Sequence, residues 1–228
     1  VSSAHAKAEH NPYLAHHFES IEQQEESCTL GMWLFLAQEV MFFGGLFMAY
    51  SVYRYMYFDA WVRGSAQLDQ VVGGFNTIIL LLSSFTMAMG VYHCQVGNSK
   101  KLFRYLSLTM ILGLAFVGLK LWLEWGPKIS HGVFPGNLWN PDAHHYPDLV
   151  SFGEQGHLQI FFFLYYVMTG MHALHMIIGF GILAVLMVMT KMNKFGPKRY
   201  MPILFFGLYW HFVDIVWVFL FPMFYLVT

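Results

Sequence analysis

Five stretches of this chain are apolar for about twenty residues or longer, at roughly 30–55, 74–94, 103–125, 158–190 and 202–227. A hydrocarbon core about 30 Å thick takes about 20 residues of helix to cross. The backbone polar groups of such a stretch must bond within the segment, which a helix does by itself. The fourth run, 33 residues long, is either strongly tilted or begins outside the hydrocarbon. Only 11% of the residues are charged, against about 25% in soluble domains, so the chain lacks the polar surface that water demands. The expected fold is therefore all-α, an integral membrane bundle of five transmembrane helices. Residues 30–228 are expected to form a single transmembrane domain behind a polar N-terminal arm, 1–29. No internal repeat is visible.

The net charge of −1 gives no reason to expect a nucleic-acid partner. Cys28 and Cys94 fit neither a disulfide scaffold nor a metal-ligand spacing. Residues 1–29 hold no apolar core of the kind a signal peptide carries, and four glutamates between Glu19 and Glu26 mark a solvated segment.

The linkers set the expected orientation. Lys7, Lys100, Lys101, Arg104, Lys191, Lys194, Lys198 and Arg199 fall on one side, whereas the other side holds Arg54, Arg63 and Lys128. Basic residues concentrate on the cytoplasmic side, so the N-terminus is expected to be cytoplasmic and the C-terminus periplasmic. The longest linker, 126–157, is rich in Pro, Gly, Asn and Asp, which mark turns. It is expected outside, as a partner-docking loop or a passive lid.

A charge at the bilayer centre costs about 2.5–3.5 kcal/mol on insertion scales, so each intramembrane polar residue needs a reason. In LFLAQEVMFFGGLFMAY, residues 34–50, Glu39 lies roughly 13 Å into its span at the helical rise. Asp214 lies roughly 18 Å past Pro202 by the same rise, so both acids are expected near the midplane. His172 and His175 are three apart and share a helix face. His211 and Asp214 are also three apart, so imidazole and carboxylate can hydrogen-bond within one turn. Lys120 and Glu124 can pair at i,i+4 or reach the interface. With Asn76, these groups are expected to form a polar seam between helices. A buried metal held by the histidines is the weaker alternative. Gly44, Gly45, Gly170, Gly179, Gly181, Ser83 and Ser84 would let helices approach closely.

Three segments, GMWLFLAQEVMFFGGLFMAY, TGMHALHMIIGFGIL and YWHFVDIVWVFLF, resemble signature stretches of subunit III of the heme–copper oxidases, the cytochrome c oxidase family. NTIILLLSS with VGNSKK, and GLAFVGLKLWLEW, are similar to the family's intervening helices. The resemblance runs in order from Gly31 onward. It implies an accessory, non-catalytic chain of a multisubunit oxidoreductase in the bacterial inner membrane. Such a chain binds no metal. Heme and copper belong to the catalytic subunit I beside it, and other oxidase subunits and phospholipids are its further partners. The resemblance also implies a role in stabilising subunit I and supporting proton uptake. It places the family's carbodiimide-reactive glutamate on Glu39. A carboxylate in apolar surroundings is disfavoured in its charged form, so Glu39 is expected to be a neutral hydrogen-bond donor.

The chain departs from the family pattern in places. It has five expected helices where mitochondrial members have seven, Leu204 where a glutamate is frequent, and Lys120 where glutamine is common. Glu39 favours the cytochrome c-using branch. The alternatives are the corresponding subunit of a quinol oxidase or nitric oxide reductase, or a stand-alone proton-coupled transporter. For the transporter, the broken helices and paired repeats typical of that class are not seen.

Overall fold

The structure, a computed structural model, describes residues 18–197 and 199–227. Lys7, Lys198 and most of the polar arm lie outside the described residues. Within them, α1 runs Ile21–Met56, α2 Phe58–Ala66, α3 Gln70–Gln95 and α4 Ser99–Leu119. A π-helical stretch, Lys120–Trp125, then leads into α5, Gly126–Ser130. The remaining helices are α6, Pro147–Val150, α7, Gln155–Lys191, and α8, Met201–Tyr225. Five continuous helical stretches are long and apolar enough to cross a membrane: Ile21–Met56, Gln70–Gln95, Ser99–Ser130, Gln155–Lys191 and Met201–Tyr225. The protein is therefore an all-α, multi-pass membrane protein.

Local chemistry explains the helix ends. The Asp69 carboxylate accepts from the N–H groups of Val71 and Val72 at 2.9 and 3.1 Å, starting α3. Asn98 does the same for α4, accepting from the Lys101 N–H at 3.1 Å. Each satisfies donors that a helix start leaves without partners. Pro202 sits in the first turn of α8, where its missing N–H costs nothing.

α1 begins at Ile21, within the polar arm, because Ser20 and Gln23 cap it. The Gln23 N–H donates to the Ser20 hydroxyl at 3.1 Å, and the Glu19 N–H donates back to the Gln23 amide oxygen at 2.9 Å. Glu22 in the first turn also complements the positive end of the helix.

Residues up to Val40 form one compact unit and residues from Met41 a second. In the second unit, α3 and α4 form a hairpin. The hydroxyls of Thr86 and Thr109 meet across it at 2.8 Å. Its turn carries Gly97 at φ +80°, a conformation that favours glycine.

α8 lies against α3. Trp210 Nε1 donates to Ser83 Oγ at 3.0 Å, and Trp217 Nε1 donates to Thr77 Oγ1 at 3.1 Å. The Trp210 indole is fully buried, and two glycines from other helices meet it. A β-carbon on Gly179 of α7 would sit 2.8 Å from the ring, and one on Gly113 of α4 would sit 3.1 Å from it. One indole thus joins α3, α4, α7 and α8.

The linker beyond α5 folds onto α7. The Tyr166 hydroxyl donates to the Val133 carbonyl at 3.0 Å, and Gln155 Nε2 donates to the carbonyls of Leu149 and Phe152 at 2.6 and 2.7 Å. It is mostly turns, with α6 as a single helical turn.

Gly179→Leu is expected to lower thermal stability in detergent by the equivalent of about 1–3 kcal/mol, the usual cost of overpacking. A β-carbon at Gly181 meets nothing within 4 Å, so Gly181→Ala should leave the melting temperature unchanged. Equal melting of the two variants would show that the indole does not set the helix spacing.

Candidate functional site

The most connected polar group in the bundle is built around Lys120 and Glu124. Both are buried, and they pair at 2.5 Å between Nζ and Oε2. The π-helical turn carries this pair.

Two tyrosines complete the cluster. Tyr165 of α7 accepts from Lys120 Nζ at 2.9 Å and donates to Glu124 Oε2 at 2.9 Å. Tyr225, near the end of α8, accepts from Lys120 Nζ and donates to the same carboxylate oxygen. The ammonium also lies 4.8, 4.8 and 5.0 Å from the ring centroids of Tyr165, Trp217 and Tyr225. Aromatic faces attract a desolvated cation, so three π-systems and one carboxylate replace the water that Lys120 gave up.

Lys128 is likewise buried, and its charged neighbours are Glu124 and Asp69. The formal charges of Asp69, Lys128, Glu124 and Lys120 cancel. Nothing in the sequence marked Tyr165, Tyr225 or Trp217 as partners of Lys120. The only available signal was the cost of leaving a buried lysine without them.

The other expected residues take different direct partners. His172 is buried against the rings of Phe116 and Trp217, with centroids 5.6 and 5.3 Å away. Neither of its ring nitrogens has a hydrogen-bond partner among the described residues. His175 faces elsewhere. Its ring lies 5.3 Å from that of Phe43, and its Nδ1 is 2.8 Å from the Met171 carbonyl.

His211 and Asp214 do not hydrogen-bond to each other. His211 Nδ1 pairs with Ser84 Oγ at 2.6 Å. The Asp214 carboxyl also has Ser84 as a neighbour, but neither of its oxygens reaches hydrogen-bonding geometry among the described residues. A cross-helix serine takes the place that spacing alone assigned to the acid on the next turn. Asn76 is fully buried, and neither amide atom has a partner among the described residues. The polar groups thus form several local arrangements rather than one continuous seam.

Glu39 is buried at 8% exposure, whereas Met41 on the same helix is 78% exposed. Among the described residues no three His, Cys, Asp or Glu side chains are grouped to hold a metal ion. His172, His175 and His211 each make different contacts, and Cys28 and Cys94 are free thiols.

These features define a polytopic membrane helix bundle whose intramembrane charges are engaged in packing. The family profile of cytochrome c oxidase subunit III matches residues 157–228. The probable cytochrome c oxidase subunit 3 of Nocardia farcinica is 32% identical over 199 residues, which cover 87% of each chain. The cytochrome c oxidase subunit 3 of Bacillus sp. strain PS3 is 31% identical over 202 residues, covering 86% of this chain and 84% of the relative. That of Thermostichus vulcanus is 27% identical over 201 residues, covering 88% and 87%. The chain belongs to the cytochrome c oxidase subunit III family, and so is a subunit III of a heme–copper oxidase complex.

Glu124→Ala strands a buried ammonium and is expected to cost about 3–5 kcal/mol. Combining it with Lys120→Met should recover a large part of that loss, because the desolvated charge is gone. Asp214→Leu removes an acid that has no hydrogen-bond partner among the described residues and should cost far less than Glu124→Ala. Thermal melting of the four proteins in one detergent checks this. A double variant no better than Glu124→Ala would show that the pair is not the source of the effect.

Proposed function

We propose that this chain acts as a non-catalytic subunit of a respiratory cytochrome c oxidase, packed beside the subunit that holds heme and copper. In this reading it stabilises that subunit and supports proton uptake during O2 reduction. It lies in a bacterial inner membrane with its N-terminus in the cytoplasm and its C-terminus in the periplasm. The basic residues on one side favour that orientation.

The observation that carries the accessory role is how the buried charges are used. Lys120 is saturated by Glu124, Tyr165 and Tyr225, and His211 pairs with Ser84. Groups tied up in this way hold helices together rather than await a substrate. Intramembrane acids mark proton paths by default. Lys120 and Glu124 form a compact, paired cluster with two tyrosines instead of a chain of carboxylates, which disfavours the transporter reading. Glu39, buried on α1, serves helix packing in this reading.

The test is to tag the chain, extract it gently, and record the optical spectrum and the co-purifying partners together. Heme should arrive with larger subunits, and reduced cytochrome c should sustain turnover. Glu39→Gln, which keeps the shape and a donor, should assemble normally and change turnover only moderately, within the about tenfold that one hydrogen bond is worth. A colourless chain that purifies alone would overturn the oxidase role. A Glu39→Gln complex that assembles but loses nearly all turnover would make this carboxyl a proton carrier.

A further inference from the structure

The linker after α5 closes on itself through two histidines. The imidazoles of His131, just past the end of α5, and His145 stack face to face, with centroids 3.9 Å apart and planes 15° from parallel. The Asp142 N–H donates to the His131 carbonyl at 3.1 Å, and the Asn140 N–H donates to the Gly132 carbonyl at 2.9 Å. The stack therefore sits where the two ends of the 131–142 loop meet. The loop itself is pinned to α7 by the Tyr166–Val133 hydrogen bond and by Trp139, whose ring lies 5.6 Å from that of Phe162.

The two rings differ in what they can do with a proton. His145 Nδ1 lies 2.7 Å from Asp142 Oδ2. The Asp142 carboxyl is held below its ordinary range by the His144 N–H and the His145 side chain, so an anion is at hand for a charge on His145. His131 Nδ1 is shut off from solvent and has no hydrogen-bond partner among the described residues. A charge on that ring as well would bury an N–H without an acceptor. It would also set two cations face to face at the distance of the stack, where they repel.

The surroundings offer the second charge no further anion. The next ring beside His131 is Tyr146, at 6.2 Å, and the next beside His145 is His144, at 5.2 Å. On α5, the charged neighbours of Lys128 are Glu124 and Asp69. α6 carries Asp148, which is exposed. On α7, Glu154 pairs with His157 at 2.5 Å, and Tyr166 donates to Val133. Asp142 is thus one carboxylate for two imidazoles.

We propose that the His131–His145 stack is an acid-sensitive latch, which holds residues 131–146 closed on α7 while at most one imidazole is charged and releases them when both are. Imidazoles change charge within the physiological range. The open segment takes up both protons freely and the closed one does not, so the open state binds more protons and closure weakens as pH falls. Opening uncovers Phe162 and Tyr166 in the early turns of α7. The latch rests on the linker meeting water and not on which complex the chain serves.

The test is amide hydrogen exchange on the intact, detergent-solubilised assembly that contains the chain, read by mass spectrometry with labelling times scaled to the intrinsic rate at each pH. Between about pH 7.5 and about pH 5, either side of the ordinary histidine range, protection of the 131–146 peptide should fall about tenfold, the equivalent of one pK unit. His131→Phe and His145→Phe each keep a stacked ring and leave one imidazole, so both variants should stay closed at both pH values. His144→Gln, outside the stack, should retain the acid response. Protection that does not change with pH in the native protein, or an acid response that survives in either Phe variant, overturns the proposal. Opening at both pH values in both Phe variants would show rings that pack without sensing charge, and overturns it too. An equal loss of protection in the α3–α4 hairpin around Thr86 and Thr109 would be general acid unfolding, with the same consequence. Lack of heme in the assembly would count against the oxidase role alone and leave the exchange comparison intact.

Discussion

The position of Trp210 is the constraint on which the second unit depends. Its indole is fully buried, its N–H donates to Ser83, and Gly179 and Gly113 leave room for its two edges. In hydrocarbon there is no hydrophobic drive to bring helices together, so close packing and cross-helix hydrogen bonds must do it. A large flat side chain meeting glycines supplies contact area, and the serine fixes its depth. Trp217, two turns along, repeats the arrangement with Thr77. The register of α8 against α3 is set at both points.

The Lys120 cluster solves a different problem at the other end of the same helices. A lysine ammonium and a carboxylate cannot leave water without replacing its hydrogen bonds. Here the replacement comes from residues far apart in sequence, Tyr165 on α7 and Tyr225 on α8. The cluster therefore exists only when the ends of three helical stretches are assembled. It links the integrity of these helix ends to the packing around Trp217, whose ring also faces the ammonium. For a subunit of a larger oxidase, a bundle whose buried lysine is already satisfied from within is a suitable surface on which a neighbour can pack.

The sites differ in how far they could be read in advance. Lys120 and Glu124 stood out as charges four apart in an apolar run, and that spacing does bring them together. His211 and Asp214 carried an equally suggestive spacing, yet Ser84 from another helix takes the imidazole. His172 and His175 share a nominal face but meet different neighbours, Phe116 and Trp217 in one case and Phe43 in the other. Spacing along one helix says which side chains could meet. It does not say which competitor a second helix will bring closer.

By itself, the sequence determined the membrane class, the number of spans and the family. Hydrocarbon thickness converts apolar run length directly into helices, and backbone bonding in lipid leaves them little choice of conformation. It also set the caps at Asp69 and Asn98, because those bonds are local. Only the tertiary structure decided how the buried polar groups are satisfied and that Trp210 joins four helices. Those outcomes depend on interhelical distances and rotations, which are set by the collective packing of side chains remote from one another along the chain.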